Sequence, residues 1–284
     1  MLTNSSARQL ISAATRQMEG MESAILDAEL LLADVLGVNR SKFYSTPELV
    51  VAAGDSEKFW QLIKLRQTGK PVAYLLGEKE FWSMNFSVNS NVLIPRPETE
   101  RLVETVLENL DPANKTRILD LGTGSGAIAV ALATELPNAD IVAVDTCHDA
   151  LTMAVANARR LGKHNIEFML SNWFSAVTGK FDVIVSNPPY IPSNDKHLAD
   201  PALSFEPRLA LDGGVTGLDA INNIIKNSAR YLLSHGLLVL EHGYNQGKNV
   251  RDLLLRSGFT EINTSLDYAG LERISSARRG SDNE

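Results

Sequence analysis

The chain has 284 residues, enough for two domains, and its 44% hydrophobic and 21% charged residues are typical of a soluble globular protein. A single cysteine excludes an internal disulfide, the histidines have no metal-ligand spacing, and no apolar stretch is long enough to span a bilayer. The start lacks a signal-peptide pattern, so we expect a cytoplasmic protein without a metal or a membrane partner. The net charge of −7 argues against tight binding to a phosphate backbone, so we expect no direct nucleic-acid partner.

Residues 1–76 are predicted to form a small all-helical domain. Gly37 is a helix stop signal, and it follows apolar residues at helical spacing, namely Ile25, Ala28, Leu32 and Val35. The later part of this domain carries a loosely spaced row of cations, Lys58, Lys64, Arg66 and Lys70. Such a row is usually a solvated helix face, and the alternative is a surface that docks a partner protein.

The hydrophobic pattern then changes from helical spacing to strict alternation. This alternation predicts a half-buried strand over 82–88, and after an NSN turn the VLI run at 92–94 predicts its partner. We therefore expect a β-hairpin within a hinge that spans residues 77–100. The PRPETE stretch at 95–100 is predicted to open a helix, because Pro97 is favourable in a first helical turn.

Short apolar runs alternate with helical stretches from residue 101 to residue 276. The runs are RILDLG, IVAVD, IEFML, FDVIVSN and GLLVLEHG, and residues 148–161 and 217–233 are predicted helices between them. Near-continuous apolar strands that alternate with helices predict an α/β domain whose doubly wound, mostly parallel sheet is covered on both faces. The last residues, 277–284, are predicted to form a flexible tail.

A glycine-rich loop follows the first strand of this domain. It reads DLGTGSGA and supplies Gly122, Thr123, Gly124, Ser125 and Gly126. Glycines allow a tight turn and let a ligand approach the backbone at the next helix N-terminus. The second strand ends in Asp145, 19 residues after Gly126, where a carboxylate can accept hydrogen bonds from both ribose hydroxyls. The pair predicts a nucleotide-like cofactor.

The loop and the aspartate leave two cofactor classes open. Gly122, Gly124 and Ala127 also fit the dinucleotide spacing, which would make the protein a nicotinamide-dependent dehydrogenase. Asp120 favours S-adenosyl-L-methionine, because a carboxylate beside the loop would repel a pyrophosphate but tolerates a sulfonium cofactor with a free amino group. Trp173, after the third strand, is a candidate wall for the adenine, with a core position as its alternative.

The fourth strand ends in SNPPY, which brings Asn187, Pro188, Pro189 and Tyr190 to its tip. Asn187 offers a side-chain carbonyl and Pro188 a backbone carbonyl, whose direction the next proline restrains. Two such acceptors can hold both hydrogens of an –NH₂ group, and Tyr190 can close over a planar group. Because these hydrogen bonds push electron density onto the nitrogen, Asn187 and Pro188 are predicted catalytic residues for methylation of a planar amide or an exocyclic amine.

The glycine loop, the aspartate and the SNPPY tip together resemble the class I amino-methyltransferases. Residues 66–100, 205–219 and 240–247 are similar to the PrmC/HemK family. This resemblance implies a class I methyltransferase fold and methylation of the side-chain amide nitrogen of the glutamine in the Gly-Gly-Gln motif of bacterial peptide chain release factors. It also implies that residues 122–126, Asp145, Trp173 and Asn187 bind S-adenosyl-L-methionine, that the NPPY residues hold the glutamine, and that the N-terminal helices grip the release factor.

Two rival functions are compatible with part of the sequence. A DNA N6-adenine methyltransferase would share the SNPPY tip, but it should also carry a basic target-recognition region and base-flipping machinery. A protein that only binds release factors would leave the intact cofactor loop unexplained.

The match to the family pattern is incomplete at two positions. His242 and Asn245 depart from the family sequence LEIGYDQ and are expected to lie off the site. Arg96, Glu98 and Thr99 match the hinge motif of the family and are expected to organise the cofactor side of the pocket.

Overall fold

The computed structural model describes residues 5–281, which divide into two compact units. The first unit takes in the chain through Glu78 together with Pro201–Phe205, and the second takes in Lys79–Asp200 and the chain from Glu206 onward. The sequence predicts a first domain that ends at residue 76 and assigns the distant segment 201–205 to the catalytic domain. In the structure the first unit is instead discontinuous along the chain, because it also includes Pro201–Phe205.

The first unit is mainly helical. Its elements in chain order are β1 (Ser5–Ser6), α1 (Ala7–Gln17), α2 (Ala24–Leu36), α3 (Lys42–Ser45), β2 (Val50–Val51), α4 (Ala53–Gln67) and α5 (Val72–Leu76). The Ser6 side chain accepts from the Gln9 N–H in a capping box that starts α1, and α2 ends as predicted at Gly37, whose φ is 61°. The antiparallel β1–β2 pair is a two-residue feature that the all-helical prediction misses.

The predicted row of cations does not form a uniform face. Arg66 makes a 2.7 Å ion pair with Asp27, and both side chains are largely buried. Lys58 pairs with Asp55 at 3.2 Å on the surface, and Lys64 is exposed. Arg66 therefore joins α4 to α2 and is not available to a partner, because breaking a buried ion pair leaves an uncompensated charge.

A hairpin follows the helices, but its strands differ from the predicted ones. It consists of β3 (Glu78–Phe81) and β4 (Met84–Ser87), and residues 92–94 belong to no strand of the described chain. Trp82 and Ser83 form the turn with φ values of 53° and 56°. Two adjacent residues with positive φ are typical of a tight hairpin turn that usually contains Asn or Gly. Because neither residue is a turn former, the sequence carried no signal for this turn.

The second unit contains a seven-stranded sheet within the described residues. Its strands are β5 (Arg117–Leu121), β6 (Asp140–Asp145), β7 (Ile166–Leu170), β8 (Phe181–Ser186), β9 (Leu232–Glu241), β10 (Phe259–Leu266) and β11 (Glu272–Arg279). The order across the sheet is β10-β11-β9-β8-β5-β6-β7. Six strands run in one direction, and β11 runs in the opposite direction. The helices of this unit are α6 (Glu100–Leu107), α7 (Ala127–Glu135), α8 (His148–Arg160), α9 (Asp219–Tyr231) and α10 (Gly247–Arg256).

Apolar clusters cover both faces of the sheet. Ile118 of β5 faces one cluster, whereas Leu119 and Leu121 face the other. This arrangement confirms the predicted doubly wound, mostly parallel α/β fold. The prediction of a flexible tail is wrong for residues 277–279, because β11 continues to Arg279 and Ala277 is fully buried. The final predicted tail residues, 282–284, lie outside the described part of the chain.

The strand order reverses beside β5, and this reversal positions the site. The strand β5 has β6 on one side and β8 on the other, all parallel. Their carboxyl ends therefore bring the glycine loop, Asp145 and Asn187 to one edge of the sheet. Ligands of open α/β sheets bind at such a reversal, outside the carboxyl ends of the strands.

Candidate active site

The glycine loop adopts a backbone that favours glycine. Gly122, Gly124 and Gly126 have φ values of 75°, 56° and 83°, a region that other residues rarely adopt. A Cβ at Gly126 would lie 3.1 Å from the Ala154 Cβ, so this glycine permits close packing of α8. A Cβ at Gly124 would meet nothing within 4 Å. Gly124 therefore leaves the backbone open to a ligand.

A buried amide that the sequence did not single out holds this loop in place. Asn157 of α8 is fully buried, and its Oδ1 accepts from the Ser87 N–H at 2.8 Å. Its Nδ2 donates to the carbonyls of Ser87 at 3.0 Å and Ser125 at 2.9 Å. One side chain thus fastens the end of β4 and the glycine loop to α8. In the sequence, the signal for this role of Asn157 was a single asparagine on the apolar side of the helix α8.

Asp145 lies at the end of β6, where two backbone N–H groups orient its carboxylate. Oδ2 accepts from the Gly124 N–H at 2.9 Å, and Oδ1 accepts from the Cys147 N–H at 2.9 Å. Each carboxylate oxygen keeps a second lone pair, and the side chain lines the cavity described below. This arrangement fits a pair of ribose hydroxyls.

Asp120 lies fully buried in β5, directly before the loop. Its Oδ2 accepts from the Thr123 hydroxyl at 2.7 Å, whereas Oδ1 has no hydrogen-bond partner. Burial raises the pKa of Asp120 to about 7, and the nearby Asp145 charge acts in the same direction. An unpartnered buried acceptor fits a ligand that brings a donor, such as an ammonium group, directly or through a water.

A cavity of about 550 Å³ opens at this edge of the sheet. Its lining includes Asp145, Asp219 and Asp212, of which Asp212 pairs with Arg208 at 3.0 Å, and no lysine or arginine of residues 5–281 contributes to the lining. A pyrophosphate would be repelled here, while a sulfonium with an amino group is favoured. The cavity therefore disfavours the dehydrogenase alternative.

The cavity contains some of the predicted site residues and not others. Those that line it are Gly122, Gly124, Asp145, Trp173, Asn187 and Pro189. Thr123, Ser125, Gly126, Pro188 and Tyr190 are not part of the lining. The lining also includes residues that the sequence did not assign to the site, among them Asn91, Val92, Leu93, Pro207, Leu209, Ala210, Asp219, Ala220 and Asn223. These residues come from loops and from the start of α9, so no local pattern placed them at the site.

Trp173 lies beside the glycine loop in a backbone conformation unusual for a large residue. Its φ is 52°, and its ring is 3.6 Å from the position of a Cβ at Gly122. It also packs against the buried cluster below the sheet. The side chain is thus both a core contact and a wall of the cavity. Its role against an adenine stays a prediction.

The NPPY tip is tied to a buried carboxylate. The Asn187 Nδ2 donates to Thr99 Oγ1 at 3.1 Å, and the Thr99 hydroxyl donates to Glu241 Oε2 at 2.7 Å. The Tyr190 hydroxyl donates to the other oxygen of Glu241 at 3.2 Å. Glu241 lies at the end of β9 and is 1% exposed. The tip is therefore fixed by hydrogen bonds to Thr99, before α6, and to Glu241, at the end of β9.

Burial also determines the acid–base properties of this network. It raises the pKa of Glu241 to about 7, an effect that the Thr99 hydrogen bond and the Arg273 charge oppose. Burial likewise raises the pKa of Tyr190, and the Glu241 charge adds to this shift. Tyr190 is therefore neutral and donates its hydroxyl proton at neutral pH.

The hinge motif fastens a loop at the cavity. The Ile94 N–H donates to Glu206 Oε2 at 3.1 Å, and the Arg96 guanidinium pairs with Glu206 Oε1. Glu206 is almost fully buried and directly precedes Pro207 and Leu209, which line the cavity. Arg96 thus holds a cavity wall, and Thr99 contacts Asn187 of the tip.

His242 departs from the family pattern but faces away from this network. One ring nitrogen is 2.9 Å from the Gly243 carbonyl oxygen and the other is 2.9 Å from Ser275 Oγ. Burial lowers the pKa of His242, which favours its neutral form. The departure therefore leaves the contacts of Glu241 unchanged.

Within residues 5–281, no helix has the length and apolar content needed to cross a membrane. In the same part of the chain, no three His, Cys, Asp or Glu residues are grouped so that they could hold a metal ion.

Comparisons with known proteins agree with this geometry. The family model of the methyltransferase small domain matches residues 99–200, and that of the PrmC N-terminal domain matches residues 9–77. The release factor glutamine methyltransferase of Pseudomonas aeruginosa is 47% identical over 259 residues, which cover 91% of this chain and 94% of that protein. The protein of the same name from Coxiella burnetii is 46% identical over 256 residues, covering 90% and 92%.

Solved structures show the same fold at low sequence identity. A 16S rRNA methyltransferase of T. thermophilus, solved with AdoMet and guanosine, superimposes with a TM-score of 0.53 and 18% identity. The match covers 71% of this chain and 49% of that one. A methyltransferase of Pyrococcus furiosus gives a TM-score of 0.52 at 17% identity, covering 69% and 88%.

Proposed function

The chain belongs to the family of release factor glutamine methyltransferases, and from that premise we propose that it methylates the side-chain amide nitrogen of the Gly-Gly-Gln glutamine in a peptide chain release factor. The observation that carries this proposal is the shared cavity. Asn187 of the tip lines the same space as Gly122, Gly124 and Asp145 of the cofactor edge. A donor held at one edge can thus meet an acceptor held at the other.

The residues of the cofactor edge fit S-adenosyl-L-methionine. Asp145 would accept from the ribose hydroxyls, the loop of residues 122–126 would take the amino-acid part, and Trp173 would flank the adenine. Asp120 is fully buried and does not line the cavity, so its unpartnered oxygen would accept from the amino group through a water. When bound, the cofactor supplies an electrophilic methyl group on a sulfonium.

The residues of the tip suit a planar amide. Asn187 Oδ1 and the Pro188 carbonyl accept the two N–H groups of the substrate glutamine, which orients its nitrogen and stabilises the positive charge that develops during transfer. Holding the nitrogen in line with the methyl group supplies ~7–11 kcal/mol of the barrier. The proton would leave to solvent after transfer, with S-adenosyl-L-homocysteine as the co-product, so no strong general base is needed. Tyr190 does not line the cavity, so closure of its ring over the amide plane stays a prediction.

The partner of the reaction is the release factor, and we assign its docking to the helical unit, in the cytoplasm where translation ends. The match of residues 9–77 to the PrmC N-terminal domain supports this assignment. Lys58 and Lys64 are exposed on α4, whereas Arg66 is committed to Asp27. Of this row, Lys64 is therefore open to a partner, whereas Lys58 is exposed but paired with Asp55 at 3.2 Å.

Mass spectrometry of a release factor incubated with the protein and methyl-labelled S-adenosyl-L-methionine tests the function. We expect one label on the Gly-Gly-Gln glutamine and none when this glutamine is replaced by glutamate. A double-stranded DNA with adenines serves as the competing substrate. Label on the DNA and none on the release factor would overturn the proposal.

A further inference from the structure

We propose that Thr99 and Glu241 are positioning residues that determine which end of the Asn187 amide faces the substrate. The inference rests on the proposed function, because it deepens the role of the tip in that reaction. The contacts that carry it join three separate elements: the turn before α6, the end of β8 and the end of β9.

The direction of the hydrogen bonds follows from the chemistry of the groups. At pH 8, where the assays below are run and Glu241 is mostly ionised, both of its oxygens only accept. The single hydroxyl proton of Thr99 is then committed to Oε2 at 2.7 Å. The Thr99 oxygen can then only accept from its other neighbour. Asn187 must therefore present its –NH₂ end to Thr99, and its carbonyl oxygen is left for the substrate.

This order matters because an asparagine amide is nearly symmetric in shape. A flipped Asn187 would fill the same space with its –NH₂ group towards the N–H groups of the substrate amide. Two donors would then face each other, and the nitrogen would lose the acceptor that stabilises its developing charge. A correct position alone is insufficient for function, since the correct end must also face the cavity.

Burial makes the chain of hydrogen bonds selective. Thr99 is 4% exposed and Glu241 is 1% exposed, so bulk water is not available to replace either partner. Tyr190 donates to the second oxygen of the same carboxylate at 3.2 Å. One carboxylate thus holds Tyr190 directly and Asn187 through Thr99.

The test replaces Thr99 by residues of similar shape. Thr99→Val keeps the volume and removes the hydroxyl, while Thr99→Ser keeps the hydroxyl and removes a methyl group. The matched control is Thr105→Val, because Thr105 is a buried threonine of α6 whose hydroxyl donates to the Arg101 carbonyl, away from the tip. All variants are assayed at pH 8 as full-length protein on an intact release factor.

We expect Thr99→Val to lower kcat on the order of 10- to 100-fold, as when one transition-state hydrogen bond is lost. The KM for the release factor and the calorimetric Kd for S-adenosyl-L-methionine should stay within about threefold, because neither depends on the orientation of one amide. Thr99→Ser should restore kcat to within about threefold of wild type, and Thr105→Val should leave it unchanged. Glu241→Gln, which cannot accept from both hydroxyls, should lower kcat as Thr99→Val does.

A second readout does not depend on turnover. In the wild type, the side-chain –NH₂ protons of Asn187 should exchange slowly by NMR, and this protection should be lost in Thr99→Val. Equal kcat in Thr99→Val and wild type, or equal losses in Thr99→Val and Thr105→Val, would overturn the inference. A wild-type protein that fails to label the release factor would overturn the proposed function instead. The NMR measurement then still tests the inference, because unchanged protection of the Asn187 –NH₂ protons in Thr99→Val would overturn it.

Discussion

The two edges of the cavity are built by different means. At the cofactor edge, Gly122, Gly124 and Gly126 of one loop adopt positive φ, and Asp145 accepts from the backbone N–H groups of Gly124 and Cys147. At the substrate edge, Asn187 bonds to Thr99, which lies 88 residues earlier in the chain, and Thr99 bonds to Glu241, which lies 142 residues after Thr99. The cofactor edge is thus formed mainly by backbone groups, whereas the substrate edge is formed by side chains that are far apart in the sequence. A motif can thus be complete in sequence while the groups that orient it lie elsewhere.

The largest expected effect separates chemistry from binding at the substrate edge. Asn187→Ala removes the acceptor for the amide nitrogen, so kcat should fall on the order of 10²–10³-fold. Binding of the release factor, measured by calorimetry, should change little, because docking is assigned to the helical unit. A variant that methylates at a rate near wild type would refute the role of the tip.

The next effect concerns a property that both edges share, a buried carboxyl group with a raised pKa. In the unfolded chain Asp120 and Glu241 titrate near 3.8 and 4.5, and in the folded protein near 7. The folded state therefore binds more protons over this interval, so the free energy of unfolding falls as the pH rises from about 4 to about 7 and then levels off. Each shift corresponds to about 3–4 kcal/mol.

Neutral variants isolate this contribution. Between pH 5 and pH 8, the stability of Asp120→Asn and of Glu241→Gln should decline less than that of wild type, by an amount of order 3 kcal/mol in each. Urea unfolding at both pH values measures the difference, and any pH-independent effect of the substitution cancels. Parallel curves for wild type and a variant would show that the carboxyl group in question has an ordinary pKa.

A smaller effect is expected at the cofactor edge. Asp145→Ala removes a carboxylate that is assigned to the ribose and that also accepts from Gly124 and Cys147. The Kd for S-adenosyl-L-methionine should rise about 10- to 100-fold, the range for one or two hydrogen bonds to a charged group. Isothermal calorimetry measures it, with Asp140→Ala on the exposed start of β6 as the control. An unchanged Kd would remove the ribose assignment.

The smallest effect tests how far the substrate-edge network extends. His242 directly follows Glu241 but bonds to Gly243 and Ser275. His242→Ile should therefore leave kcat within about twofold of wild type, because it touches no group that orients the tip. A large loss of kcat at unchanged stability would mean that the network reaches through this residue.

The contrast between the cofactor edge and the substrate edge also explains which site residues the sequence could predict. The glycine loop, Asp145 and the NPPY tip were recognisable because each is a short motif at the end of an apolar strand. Glu241 also left a signal, a charged residue at the end of the run GLLVLEHG, but its meaning depends on Thr99 and Tyr190. Neither composition nor spacing relates Glu241 to Tyr190, 51 positions away, or to Thr99, 142 positions away.

Local prediction failed where the backbone departs from common preferences. The turn at Trp82 and Ser83 uses positive φ without Gly or Asn, which moved the predicted hairpin by several residues. The last two strands were missed because both alternate weakly, and β10 carries bulge-like register shifts. The α/β order was nevertheless predicted, because five apolar runs and their intervening helices determine it.

The discontinuity of the first unit has a consequence for its evolution and engineering. Pro201–Phe205 belongs to that unit, and Pro201 lies so close to Gly69 that a Cβ there would be 3.0 Å from the Pro201 Cβ. A gene fragment ending near residue 78 would therefore encode an incomplete module. Recombination that exchanges the segment through Glu78 between relatives must exchange residues 201–205 as well, so we expect the two segments to be inherited together.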